Sequence, residues 1–136
     1  MHKQEHAEHS FTAVPESIAA ARAFTEQTLE AWRVTGRVDD VRLCVSELAS
    51  NAVNHGTPTE DGGHVFHVRI DADDTLIRVE VEDDDPLSTP HVRQAAEGDT
   101  GGRGMLIVES LSAAWGYESH DADGKAVWTE FFTSRA

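Results

Sequence analysis

Residues 41–56, Val-Arg-Leu-Cys-Val-Ser-Glu-Leu-Ala-Ser-Asn-Ala-Val-Asn-His-Gly, restrict this chain more than any other stretch. They read as one amphipathic helix with a stop. Asp39 and Asp40 stand before it as candidate N-caps, Gly56 ends it, and Pro58 follows. On a wheel of about 100° per residue, Val41, Val45, Leu48 and Ala52 fall on one arc, which is the core face. Glu47, Asn51 and His55 follow at i, i+4 and i+8 along the margin of that arc, with Asn54 beside them. A carboxylate, a carboxamide and an imidazole in one row suit the wall of a polar pocket. They also suit the solvated border of an amphipathic helix, and this stretch alone favours that plainer reading.

One such helix needs a second layer to cover its apolar face, and 136 residues, 39% of them hydrophobic, supply a single domain with a core. The formal charge of −14 and the pI near 4.7 argue against binding DNA or RNA through a basic face. An acidic surface suits a basic protein partner, although acidic proteins are common. Cys44 is the one cysteine, so no internal disulfide forms, and its place within the helix points to plain packing. No stretch approaches the ~18 apolar residues of a membrane span. The first ten residues are polar and unlike a secretory signal, so the expected compartment is the cytoplasm.

Residues 1–10 read as a disordered polar tail, and residues 11–136 as one domain. His2, His6 and His9 lie in that tail, with nothing nearby to hold a metal on them. Phe11 to Val14 suggest a short strand closed by Pro15, which fits a helix's first turn. Ile18, Ala21, Phe24, Thr25, Leu29 and Trp32 then form a helical stripe over 16–33, ended by Gly36. After the central helix and a loop rich in Gly, Pro, Thr and Asp, strands are expected at 64–70 and 76–83, joined as a hairpin. Residues 84–104 look like a long working loop. Met105 to Ala114 predict a helix that Gly116 stops, and final strands are expected at about 117–120 and 125–132. Helices alternating with hairpins imply an α+β two-layer sandwich, with helices on one face of a mixed, largely antiparallel sheet.

Two further places bear on chemistry. Ile77, Val79 and Val81 alternate with Arg78, Glu80 and Glu82, and the same period carries Asp83 to the buried side. An inward carboxylate must find donors or cost roughly 1–3 kcal/mol, and the exocyclic amino group of adenine is one such donor. The alternative is that the strand frays and Asp83 opens an acidic turn; parity alone leaves the two even. Gly101-Gly102-Arg103-Gly104 precedes a helix, where glycines allow close approach to an anion and free N–H groups attract phosphate. The cluster fits neither a Walker loop nor a dinucleotide-binding turn. Zinc pairs, a nucleophilic serine at Ser46 and an EF-hand at residues 82–85 all lack the necessary spacing.

Taken in order, Glu47-x-x-x-Asn51 with Ala52 and His55-Gly56, a strand ending in Asp83, and Gly102-x-Gly104 opening a helix resemble the nucleotide site of the GHKL ATPases. That superfamily holds histidine-kinase catalytic domains, Hsp90 and gyrase. Pro15-Glu16-Ser17 leading to Ala21-Arg22, Val45-Ser46-Glu47-Leu48, Gly102-Arg103-Gly104 and Trp115-Gly116 are similar to the actinobacterial proteins related to anti-sigma-factor serine kinases. The likeness spans residues ~11 to 132.

The resemblance implies the histidine kinase-like ATPase fold, with ATP and Mg²⁺ as cofactors. It implies that Asn51 binds Mg²⁺ and that Glu47 is the general base toward a protein serine. Asp83 would accept from adenine, His55 would line the pocket, and Gly102, Arg103 and Gly104 would cover the phosphates. The implied partners are an anti-anti-sigma protein, a sigma factor or both, with homodimerisation a further expectation. Two departures stand out. The family's Asp-x-Gly-x-Gly glycines are Asp85 and Leu87 here, and Gly124-Lys125-Ala126 lacks the threonine expected after Gly-x, removing a hydroxyl contact to the base. They imply an alternative, a non-catalytic module that sequesters its partner, with nucleotide binding weak or lost.

Overall fold

Apolar residues every second position in the strands, and a one-sided stripe on the central helix, close against each other as two layers. The computed structural model describes residues 4–55, 64–83, 100–119 and 125–133, without the side chains of His55 and of residues 100–104. In chain order the elements are β1 (Glu5–Thr12), α1 (Glu16–Ala31), α2 (Val38–His55), β2 (Val65–Ala72), β3 (Leu76–Asp83), α3 (Thr100–Leu111), β4 (Ala114–Ser119) and β5 (Lys125–Phe132). The strands form one sheet in the order β1-β2-β3-β5-β4, and every described pairing is antiparallel. This is the expected α+β sandwich.

Phe66, Val68 and Ile70 of β2, Ile77, Val79 and Val81 of β3, and Phe131 of β5 are buried on one face of the sheet. Val41, Val45, Leu48, Ala49 and Ala52 of α2 are buried against them. Each large apolar side chain removed from water contributes about 1.5–3 kcal/mol, so slipping β2 or β3 by one residue would forfeit several such contributions. That penalty fixes the register. The α1 stripe is present as expected, with Ala21, Thr25 and Leu29 buried.

The polar start of the chain is not a tail. Residues 5–10 belong to β1, which pairs with β2 from Glu5↔Ala72 to Thr12↔Val65. An edge strand needs little apolar content, because its outward face and its free edge stay wet. Cross-strand contacts supply the rest. His6 Nδ1 lies 2.7 Å from Asp71 Oδ1, Ser10 Oγ lies 2.6 Å from His67 Nδ1, and Phe11 stacks on Phe66 with centroids 5.4 Å apart.

Helix boundaries also differ from expectation. Helix α1 ends at Ala31, before Gly36, and Arg33 takes the left-handed turn (φ 59°) while the Val34 N–H donates to the Leu29 carbonyl. Helix α2 begins at Val38, so Asp39 and Asp40 sit in its first turn, where the helix dipole favours carboxylates. Helix α3 starts at Thr100, which puts Gly101 to Gly104 inside it, and Gly116 lies within β4 instead of stopping α3. Gly116 has its own reason to lack a side chain: a Cβ there would stand 2.6 Å from Cζ2 of Trp128 across the sheet. Trp128 in turn carries the Arg78 guanidinium 4.4 Å from its ring centre.

Cys44 is fully buried, as plain packing requires, and burial pushes its thiol up to about 11, with Asp40 and Glu47 adding to the rise and a Ser112 hydrogen bond opposing it. A folded-state value above the unfolded one, about 8.5, means that the unfolded chain loses its proton first. The contribution is therefore complete below about pH 8.5 and fades as pH rises toward 11. We expect the stability advantage of the wild type over Cys44→Ala to narrow by roughly 2–3 kcal/mol over that window in urea melts. An unchanged gap would show that Cys44 is not sealed off.

Candidate functional site

Helix α2 runs so that its last two turns lie over the sheet end at which β2 starts and β3 stops. His64, just before β2, is buried, and its Nε2 lies 3.4 Å from the carbonyl oxygen of Ala52. Two residues on, Phe66 is the cross-strand partner of Asp83, and Asp83 is the partner of Lys125 at the start of β5. Asp83 is 5% exposed, on the same face as Ile77, Val79 and Val81. Strand parity therefore holds to the last residue, and the frayed acidic turn is set aside for Asp83 itself.

Glu47 and Asn51 are half-buried on α2, one turn apart, flanked by buried Leu48 and Ala52. The Asn51 amide nitrogen lies 3.6 Å from the sulfur of Met105, a buried residue of α3. With its nitrogen turned to Met105, the amide leaves Oδ1, its only cation-ligating atom, pointing elsewhere. The same contact sets the first turns of α3 beside the C-terminal half of α2. Gly102, Arg103 and Gly104 are in those turns by backbone, so their amides belong to a helix start, the kind of place where anions bind. His55 is the last residue of α2. Asp85 and Leu87 lie outside the described residues.

One helix margin, one strand end and one helix start thus gather at a single end of the sandwich, on the helix-covered face of the sheet. The donors there are hard oxygens, a carboxylate and an amide, with a helix start beside them. A magnesium-bound polyphosphate wants oxygen ligands for its metal and backbone N–H groups for its anion, and these residues fit that requirement.

The sequence pattern assigns Lys125 no role. It is 6% exposed, and its Nζ lies 3.7 Å from Asp83 Oδ2. The signal was available, since residues 125, 127, 129 and 131 share the inward parity of β5. The same parity corrects the expectation about Ala126. That residue pairs with Glu82 and Glu118 on the opposite face of the sheet, so a threonine there would not reach a base held by Asp83. The residue of β5 that faces Asp83 is Lys125.

A family model, that of the histidine kinase-like ATPase domain, matches residues 11–131. No curated protein matches the chain. Among solved structures it is similar to the RsbU and RsbW domains of Rv1364c from Mycobacterium tuberculosis, with 20% identity and a TM-score of 0.64 over 96% of this chain and 33% of that one. It is also similar to the mycobacterial sensor histidine kinase MprB, with 16% identity and a TM-score of 0.57 over 97% of this chain and 100% of that one. The chain spans about a third of the length of the first of these. At these identities the likenesses show a shared fold.

Proposed function

Because this chain belongs to the histidine kinase-like ATPase domain family, we propose that it is an ATP-binding regulatory protein that transfers phosphate to a serine or threonine of a partner protein. The partner class we propose is an anti-anti-sigma protein, whose phosphorylation controls a sigma factor in the cytoplasm. What supports the reading is that Asn51 packs on Met105 of α3 while its neighbour Ala52 meets His64 at the sheet end where Phe66 pairs with Asp83. The similarity to a structure holding RsbU and RsbW domains supports the regulatory part.

Magnesium-bound ATP supplies the phosphoryl group and the charge neutralisation that its transfer needs. In our reading Asn51 would hold the metal through Oδ1, and Asp83 would accept from the adenine amino group. His55 lines the pocket. The N–H groups of the turns containing Gly102, Arg103 and Gly104 face the phosphates, and Arg103 adds positive charge. Glu47, one turn before the metal ligand, would take the proton from the serine hydroxyl as that oxygen bonds the γ-phosphorus and ADP leaves.

Incubating the full chain with γ-labelled ATP, Mg²⁺ and native cytosol, then recovering bound protein, tests this. Label on a serine or threonine of a recovered protein is the expected result. A second reading is favoured by Asp85 and Leu87, which stand where the family has glycines. In it the chain sequesters a sigma factor without turnover, and a partner retained equally with and without nucleotide, and never labelled, would establish it in place of the first.

A further inference from the structure

The buried ion pair between Lys125 and Asp83 is more than packing requires. Two charges, 6% and 5% exposed, have been taken out of water at the sheet end that the proposed site occupies. A pair of apolar residues of similar volume would serve stability as well or better. Ammonium and carboxylate stand side by side, with Nζ 3.7 Å from Oδ2. Their chemistry is an acceptor next to a donor. The edge of adenine carries the complement, an exocyclic amino group that donates next to the ring nitrogen N1 that accepts.

We propose that Lys125 is a second base-reading residue, donating to N1 of adenine while Asp83 accepts from the amino group. This rests on the nucleotide reading above and adds a residue to it. Direct cross-strand pairing of Asp83 with Lys125 puts both side chains on the helix-covered face, whereas Ala126 is on the other. Lys125 thus supplies a donor that the missing hydroxyl at 126 would not have delivered. It also places a compensating positive charge beside the buried carboxylate.

The test is a cycle of two proteins and two nucleotides, read by calorimetry with Mg²⁺. Wild type and K125M are each titrated with ATP and with 1-deaza-ATP, which has a carbon in place of N1. Wild type should bind 1-deaza-ATP about tenfold more weakly than ATP, the usual scale for losing a charged hydrogen bond. K125M should bind ATP about tenfold more weakly than wild type does and should not distinguish the two ligands. Persistence of the discrimination in K125M would overturn the proposal. If circular dichroism shows K125M unfolded, the wild-type pair decides alone, and equal affinities for the two nucleotides overturn it. Wild type that binds neither nucleotide overturns the nucleotide site itself, a result distinct from equal binding of both.

Discussion

Replacing Glu47 by glutamine is expected to slow phosphate transfer to a protein serine by about 10²- to 10⁴-fold, with affinity for Mg-ATP changed no more than a few-fold. Glutamine keeps the size and hydrogen-bonding reach of the side chain but cannot take a proton, so only the base is removed. Glu47 is half-buried on α2, one turn before Asn51, the proposed metal ligand. Asn51→Ala, by contrast, should weaken Mg-ATP binding itself. Single-turnover transfer rates and calorimetry separate the two effects. Unchanged transfer by the glutamine variant would remove Glu47 from the mechanism.

The largest expected loss of stability belongs to Phe66→Ala, about 3–5 kcal/mol from lost transfer energy and the cavity left behind. Phe66 is fully buried in β2, stacks on Phe11 of β1, and is the cross-strand partner of Asp83. It therefore joins the polar edge strand, the core and the candidate site. Since whole domains are stable by only about 5–15 kcal/mol, the variant should melt at much lower urea. Phe132→Ala is the internal control, because that ring is 68% exposed and its loss should be worth under about 0.5 kcal/mol. A Phe66→Ala cost below about 1 kcal/mol would mean that the sheet is not organised around this ring.

What was legible in advance followed from burial. The stripe of Val41, Val45, Leu48 and Ala52 gave α2 its core face, and the parity of Ile77, Val79 and Val81 carried Asp83 inward, because a misplaced apolar residue is costly and leaves a period. Strand β1 left no such trace. Its stability comes from backbone pairing and from partners some sixty residues away, His6 with Asp71 and Ser10 with His67, which local pattern does not contain. Glycine misled twice for one reason, that it is read as a loop unless its neighbours are known. Gly101 to Gly104 are helical, and Gly116 makes room for Trp128. Arg33 misled in the opposite sense, taking a left-handed helix end that glycine was expected to fill. Lys125 was legible by parity, but a charged residue at a strand's first position is ordinarily taken for its wet end. Only the register with Asp83 shows it inside.

Amide chemical-shift mapping during a Mg-ATP titration reads directly whether residues from α2, β3, β5 and α3 share one nucleotide site. The prediction is saturable shifts clustered at Asn51, Ala52, Asp83 and Lys125, and across the first turns of α3, with His67 and Arg69 on the opposite sheet face unmoved. No shifts at millimolar nucleotide, or shifts confined to that opposite face, would contradict it.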